Sequence, residues 1–199
     1  IKVPADHDAV RARLGAVDAR PGETRRQQDV YYDAPHREFA ETDEALRIRS
    51  ETVYKEMDAS DGEETGGRTE ERVESTATGA ESTRITYKGP LLDEESKTRS
   101  EHETGVDDAD EAAGILDGLG FEPAATVEKR REYWTFGEFT VSLDAVDGLG
   151  EFVEIEREIA DEDAIGATRD AAIEALERLG IDAADQVRTS YLGLLLANE

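Results

Sequence analysis

The sequence predicts an α+β protein in which a curled antiparallel sheet of seven or eight strands is flanked by helices. Several segments alternate apolar and polar residues with a period of two, and turn residues separate them at hairpin spacing. Segments of helical periodicity stand near the beginning, the middle and the end of the chain. With 199 residues, 37% of them hydrophobic, the chain can bury one sizeable core, so we expect one domain over residues 1–199.

The first half of the chain is predicted to contain one helix and four strand segments. Apolar residues recur at helical spacing in 5–17 after a proline, which is a normal start signal. The strands are predicted where β-rich or alternating stretches end at turn residues: 1–4 (the end of a strand), 28–33, 44–53 and 83–88. Residues 58–83 contain four glycines and few apolar residues, and we expect them to form a disordered hairpin extension.

The second half of the chain is predicted to alternate between helices and strands. Helices are expected at 107–119, which Gly120 ends, at 161–179, and in a short apolar segment at 190–196. The predicted strands are 97–104, 126–136, 138–144 and 151–159.

Composition excludes several classes of protein. The 49 acidic residues outnumber the 23 basic ones, and a net charge of −26 disfavours general nucleic-acid binding and anionic membranes. Acidic residues are spread along the whole chain, and only five lysines accompany eighteen arginines, a pattern that suggests a halophile. Cysteine is absent, and no apolar run approaches the length of a membrane span. We expect a soluble, cytoplasmic protein, and the sequence leaves open whether it forms a homodimer.

Charged residues recur in pairs two positions apart within the predicted strands. Both members of such a pair project to the same side of a strand and can reach one ligand. For a single pair, a solvated strand face is the more common explanation. However, four of the five lysines also fall in separate strand segments. The pairs are Arg47/Arg49, Lys97/Arg99, Glu101/Glu103, Lys129/Arg131 and Glu154/Glu156, and the lysines are Lys2, Lys88, Lys97 and Lys129.

Basic side chains that face one another inside a curled sheet require a compensating polyanion, because like charges repel strongly at low dielectric. A triphosphate with Mg²⁺ or Mn²⁺ supplies that compensation. Antiparallel pairing across the turn at 147–150 can bring Asp144, Glu154 and Glu156 together as metal ligands, although further acidic surface is the alternative explanation for these residues.

Six segments, taken together, resemble the CYTH family, also called triphosphate tunnel metalloenzymes, and most closely its class IV adenylate cyclase branch. They are Tyr32-Asp33, Leu46-Arg47-Ile48-Arg49, Thr86-Tyr87-Lys88-Gly89-Pro90, Lys97-x-Arg99-x-Glu101-x-Glu103, Lys129-Arg130-Arg131 and Glu154-Ile155-Glu156, with a late Ser190-Tyr191-Leu192. The resemblance implies an eight-stranded antiparallel tunnel. It also places Ile1-Lys2 at the end of a Glu-x-Glu-x-Lys signature whose two glutamates would lie upstream.

The resemblance further implies the roles of individual residues. Lys2 and Lys88 are expected to be catalytic. The expected triphosphate-binding residues are Lys2, Arg47, Arg49, Lys88, Lys97, Arg99, Lys129 and Arg131; the expected metal ligands are Asp144, Glu154 and Glu156; and Glu101 and Glu103 are expected as additional tunnel acids. The family comprises adenylate cyclases and triphosphatases, so the expected partner is ATP, tripolyphosphate or thiamine triphosphate. A binding module without catalytic activity is the remaining alternative.

Overall fold

The computed structural model describes residues 1–54 and 77–198. An eight-stranded antiparallel sheet forms its centre, in the order β1-β8-β7-β6-β2-β3-β4-β5, which confirms the predicted fold class. Within the described residues no pairing joins the edge strands β1 and β5, so the sheet is barrel-like but not closed. The strands are β1 (Lys2–Pro4), β2 (Ala19–Asp33), β3 (Ala45–Tyr54), β4 (Ala77–Asp93), β5 (Thr98–Val106), β6 (Glu122–Phe136), β7 (Phe139–Val146) and β8 (Gly150–Glu156).

Among the described residues, five α-helices flank the sheet: α1 (His7–Ala16), α2 (Phe39–Thr42), α3 (Ala109–Gly118), α4 (Ile165–Arg178) and α5 (Tyr191–Leu196). The sequence predicts all of these except the single turn α2. The side chain of Asp6 caps α1 by accepting a hydrogen bond from the backbone N–H of Ala9, and Asp108 caps α3 in the same way. The described part of the chain contains no helix that is both long and apolar enough to span a bilayer.

The main hydrophobic core lies on the convex face of the sheet. There, alternate residues of β7 and β8, including Leu143 and Val153, pack against Leu14 of α1 and Leu176 of α4. All four side chains are almost completely buried. Because successive residues of a strand point to opposite faces, burial of these apolar residues turns their polar neighbours toward the concave face.

Two strands are much longer than the sequence predicts, and β6 begins four residues earlier than predicted. β2 begins at Ala19 rather than at 28, because residues from Ala19 onward pair with β6 and residues from Thr24 onward also pair with β3. β4 runs from Ala77 to Asp93, so 77–83 are part of a strand and the expectation of disorder is wrong there; the rest of the predicted extension, 58–76, lies outside the described residues. β4 also continues through Pro90, because a register shift between Lys88 and Leu91 leaves the proline in an irregularity where no ladder N–H is required.

Candidate functional site

The concave face of the sheet gathers basic side chains from β1, β3 and β6 next to polar and acidic side chains of β2. Asp29 lies opposite Arg49 in the β2–β3 register, and Gln27 lies opposite Lys129 in the β2–β6 register. Arg47 and Arg131 stand two residues from Arg49 and Lys129, and therefore on the same face. We call Lys2, Arg47, Arg49, Lys129 and Arg131 the basic cluster; all five are buried.

Asp29 holds one half of the basic cluster in place. Its carboxylate is fully buried and accepts two hydrogen bonds from Arg49, at 2.6 Å from Nε and 2.7 Å from Nη2. Nη1 of Arg47 donates to the same carboxylate at 3.2 Å, and Nζ of Lys129 lies 3.6 Å away. Burial alone would raise the pKa of Asp29, but the three cations, Arg47 foremost, hold it well below its usual range.

Asp144 holds Arg131, another member of the basic cluster, in place. Nε of Arg131 donates to Oδ1 of Asp144 at 2.6 Å, and Nη2 of Arg131 donates both to Oδ2 of Asp144 and to Glu154. The hydroxyl of Tyr191 donates to Oδ2 of Asp144 at 2.9 Å. Burial would lower the pKa of Arg131, but Asp144 and Glu154 raise it well above its usual value, so the guanidinium stays charged.

Two lysines of the basic cluster have lowered pKa values. Burial lowers the pKa of Lys129 to about 7, with a further contribution from Arg131. Burial also lowers the pKa of Lys2, whose Nζ donates to the backbone carbonyl of Thr189 at 2.5 Å and lies 4.1 Å from the centre of the Tyr191 ring. The segment that leads into α5 thus lies over one end of the basic cluster.

Charges on distant strands interact across the concave face. Burial, followed by Arg47, lowers the pKa of Lys88 on β4, and Glu154 on β8 opposes that shift. Arg47 on β3 interacts likewise with Arg131 on β6, and Lys2 at one edge of the sheet interacts with Lys97 at the other. These interactions agree with the barrel-like curl of the sheet.

The remaining predicted residues lie nearer the margins of this interior. Glu101 pairs with Lys88 at 2.6 Å and is 46% exposed, whereas Lys88 is 27% exposed. Glu103 accepts hydrogen bonds from Arg84 and Thr86. Lys97 precedes β5 rather than lying within it, has a positive φ of 59°, and together with Arg99 binds Asp43. Glu156 shares a face with Glu154 but is exposed.

The predicted metal ligands do not form a cage of three carboxylates. Within residues 1–54 and 77–198, no group of three His, Cys, Asp or Glu side chains is arranged to hold a metal ion. Both oxygens of Asp144 already accept hydrogen bonds, so Asp144 orients Arg131. One or two carboxylates can still contribute to a Mg²⁺ site, because that ion is commonly held by few carboxylates together with water and phosphate oxygens.

Sequence reasoning missed several interior residues, among them Asp29, Tyr191 as a partner of Asp144, and Glu51. Glu51 is buried and accepts hydrogen bonds from Arg25 and from Gln27. The available signal was alternation: residues 25, 27, 29 and 31 continue the period of two through β2, and Glu51 continues it beyond Arg49.

The fold and the basic interior define a class of protein, and comparison with known proteins identifies it. The CYTH domain model matches residues 1–191, and the chain belongs to the CYTH family. A protein of Methanocaldococcus jannaschii, provisionally named an adenylate cyclase, is 34% identical over 168 residues, covering 84% of this chain and 80% of that protein.

Solved structures share the same fold. The PH1819 protein of Pyrococcus horikoshii OT3 superposes with a TM-score of 0.82 at 32% identity, covering 100% of this chain and 97% of the other. The Hippeastrum protein HpAC1, provisionally named an adenylyl cyclase and described as having a dominant triphosphatase activity, has a TM-score of 0.57 at 16% identity, with 100% and 94% covered.

Proposed function

We propose that this protein is a metal-dependent enzyme that binds a triphosphate in its concave interior and, like class IV adenylate cyclases, converts ATP to cyclic AMP and pyrophosphate. The observation that supports this best is the unbalanced positive charge of the interior. The basic cluster of five buried bases faces the three carboxylates Asp29, Asp144 and Glu154, so two positive charges are uncompensated when both of its lysines, whose pKa values are lowered, are protonated.

A polyanion would relieve that imbalance. Buried charges are tolerated when paired and hydrogen-bonded, and the surrounding low dielectric strengthens each new pair. Arg47 adds a specific point of attachment, because its buried Nε has no protein hydrogen-bond partner among the described residues. A phosphate oxygen would accept that hydrogen bond, and the guanidinium geometry of Arg favours such contacts.

A divalent cation, Mg²⁺ or Mn²⁺, is part of the proposal. Glu154 and Glu156 would hold it together with phosphate oxygens, while Asp144 keeps Arg131 in position. When bound, such an ion neutralises charge that develops on the phosphates.

The residues of this chain would mainly position and neutralise the substrate, which is what phosphoryl and nucleotidyl transfer require. Arg47, Arg49 and Arg131 would orient the phosphate chain. Lys2 and Lys88 would contact the reacting phosphates as catalytic residues. In cyclisation the ribose 3′-oxygen bonds to the α-phosphorus and pyrophosphate leaves.

The second candidate is hydrolysis, in which water attacks the γ-phosphorus of tripolyphosphate, thiamine triphosphate or ATP. It is favoured by the triphosphatase activity described for HpAC1, a protein of the same fold. A module that binds triphosphates without turnover is the third candidate.

Product analysis separates these candidates. The protein is incubated with ATP, tripolyphosphate or thiamine triphosphate and Mn²⁺ in molar KCl, and cyclic AMP, pyrophosphate and orthophosphate are measured separately. Cyclic AMP with pyrophosphate supports the cyclase, orthophosphate alone supports the hydrolase, and binding without turnover supports the module.

Two variants test the residue roles. Glu154→Gln should reduce turnover far more than triphosphate affinity, since the basic residues remain. Arg49→Lys should weaken triphosphate binding, because Lys cannot replace a bidentate guanidinium. Arg26→Lys is the matched control, since Arg26 is exposed and pairs with Glu128 on the outer face. Unchanged turnover in Glu154→Gln would remove this residue from the metal site.

A further inference from the structure

Two completely buried side chains on the concave face retain polar atoms with no protein hydrogen-bond partner among the described residues. They are Oε1 of Gln27 and Oγ of Ser142. A buried polar group without a partner is destabilising, and native proteins contain few of them. Each is therefore a position where a bound molecule can supply what the protein does not.

The orientation of Gln27 follows from its neighbours. Its Nε2 lies 2.9 Å from Oε2 of Glu51, and an ionised carboxylate only accepts hydrogen bonds, so the nitrogen must face Glu51. The same nitrogen donates to the hydroxyl of Tyr133 at 3.2 Å. The carbonyl oxygen of the amide is consequently directed away from Glu51 as an unused acceptor.

Ser142 lies on the same wall of the interior. It stands opposite Tyr133 in the β6–β7 register and opposite Glu154 in the β7–β8 register, and it is two residues from Asp144. The two unpartnered atoms therefore flank Tyr133 on adjacent strands. We call Gln27, Tyr133 and Ser142 the polar shelf.

The polar shelf adjoins the basic cluster directly. Gln27 is paired with Lys129 across the β2–β6 ladder, and directly opposed residues on one face have Cβ atoms about 4.5–5.5 Å apart. If phosphates occupy the basic cluster, the polar shelf contacts the part of the ligand that is attached to those phosphates.

The chemistry of Gln27 excludes a direct hydrogen bond from its free oxygen to the phosphates. Oε1 of Gln27 needs a hydrogen-bond donor, whereas the oxygens of an ionised triphosphate only accept. A hydroxyl both donates and accepts, so it can satisfy Gln27 and Ser142 alike.

We propose that the polar shelf binds the sugar hydroxyls of a nucleoside triphosphate, so that Gln27 and Ser142 make the protein prefer nucleotides to inorganic triphosphates. This rests on the proposed function, because it assumes that the basic cluster binds the phosphates. It adds two specificity-determining residues for the nucleoside part of the substrate.

Calorimetric titration with ATP and with inorganic tripolyphosphate, both in EDTA to prevent turnover, tests the proposal. Gln27→Met and Ser142→Ala should each raise the Kd for ATP by about three- to tenfold, the effect of one neutral hydrogen bond, and change the Kd for tripolyphosphate by less than about twofold. The native protein should also bind 2′-deoxy-ATP or 3′-deoxy-ATP more weakly than ATP.

Matched controls lie on the outer face of the same sheet. Gln28→Met removes an exposed amide that bonds to Glu128, and Ser50→Ala removes a serine directly opposite Gln28. Neither should alter the ATP preference. Ser142→Ala leaves no hydrogen-bond partner unsatisfied, so the melting temperature of this variant should be unchanged or higher. This variant decides the question if Gln27→Met folds poorly.

The outcomes separate this inference from the proposed function. If the native protein binds both ligands but the shelf variants weaken both equally, or neither, the polar shelf has no role in nucleotide preference and the inference fails while triphosphate binding stands. If the native protein binds neither ligand, the proposed function fails and this inference with it.

Discussion

Lys129→Arg should remove part of the pH dependence of triphosphate binding. Burial, with the nearby Arg131, lowers the pKa of Lys129 to about 7 in the free protein, although Asp144 and Asp29 partly oppose the shift. A bound triphosphate adds negative charge beside this amine and raises its pKa toward the ordinary value. Binding above pH 7 is then coupled to proton uptake, since only the protonated amine attracts the phosphates.

The sign and size of the pH effect on the Kd follow from the difference between the pKa of Lys129 in the free protein and its pKa in the complex. Below pH 7 the lysine is already protonated and affinity is insensitive to its titration. Above pH 7 the protonated fraction falls almost tenfold per pH unit, so the Kd of the native protein should rise by up to about 50- to 100-fold between pH 7.5 and 9.5. Ionisation of the free ligand is the same in both titrations, so it cancels in the difference between the variant and the native protein.

Calorimetry with tripolyphosphate between pH 7.5 and 9.5, repeated in buffers of different ionisation enthalpy, measures both the Kd and the number of protons taken up. Arg stays charged at these pH values, so the variant should take up fewer protons and have a shallower slope. Since the pKa values of Lys2 and Lys88 are lowered as well, the difference between variant and native protein is the informative quantity. Identical slopes and proton uptake would show that Lys129 is charged in the free protein, contrary to this reasoning.

Three further predictions concern stability and are measured by denaturant unfolding. Asp29→Asn should lower the free energy of unfolding by about 3–5 kcal/mol, because it removes the buried partner of three cations; an unchanged midpoint would refute that role. Leu143→Ala should cost about 2–5 kcal/mol, whereas Leu119→Ala, at a position 64% exposed, should change stability by no more than about 0.5 kcal/mol. Tyr191→Phe should cost about 1.5–3 kcal/mol, the worth of a hydrogen bond to the charged carboxylate of Asp144, and full native stability would show that this bond contributes nothing.

Local sequence pattern predicted most of the elements and the faces of their side chains. Alternation in 44–53 placed Arg47 and Arg49 on one face and Leu46 and Ile48 on the other, because the side-chain period of a strand is two regardless of what the strand pairs with. The local pattern did not predict that Pro90 and residues 19–27 belong to strands. Pairing with neighbouring strands decides this for 19–27, and a local irregularity decides it for Pro90.

The sequence by itself therefore determined that basic and acidic residues alternate with apolar ones along several strands. Only the tertiary structure decided which acid holds which base. Asp29 and Asp144 meet their arginines through antiparallel register between strands, and Tyr191 reaches Asp144 across 47 residues of sequence. No local pattern encodes such partners, because register and the curl of the sheet arise from packing of the whole convex core.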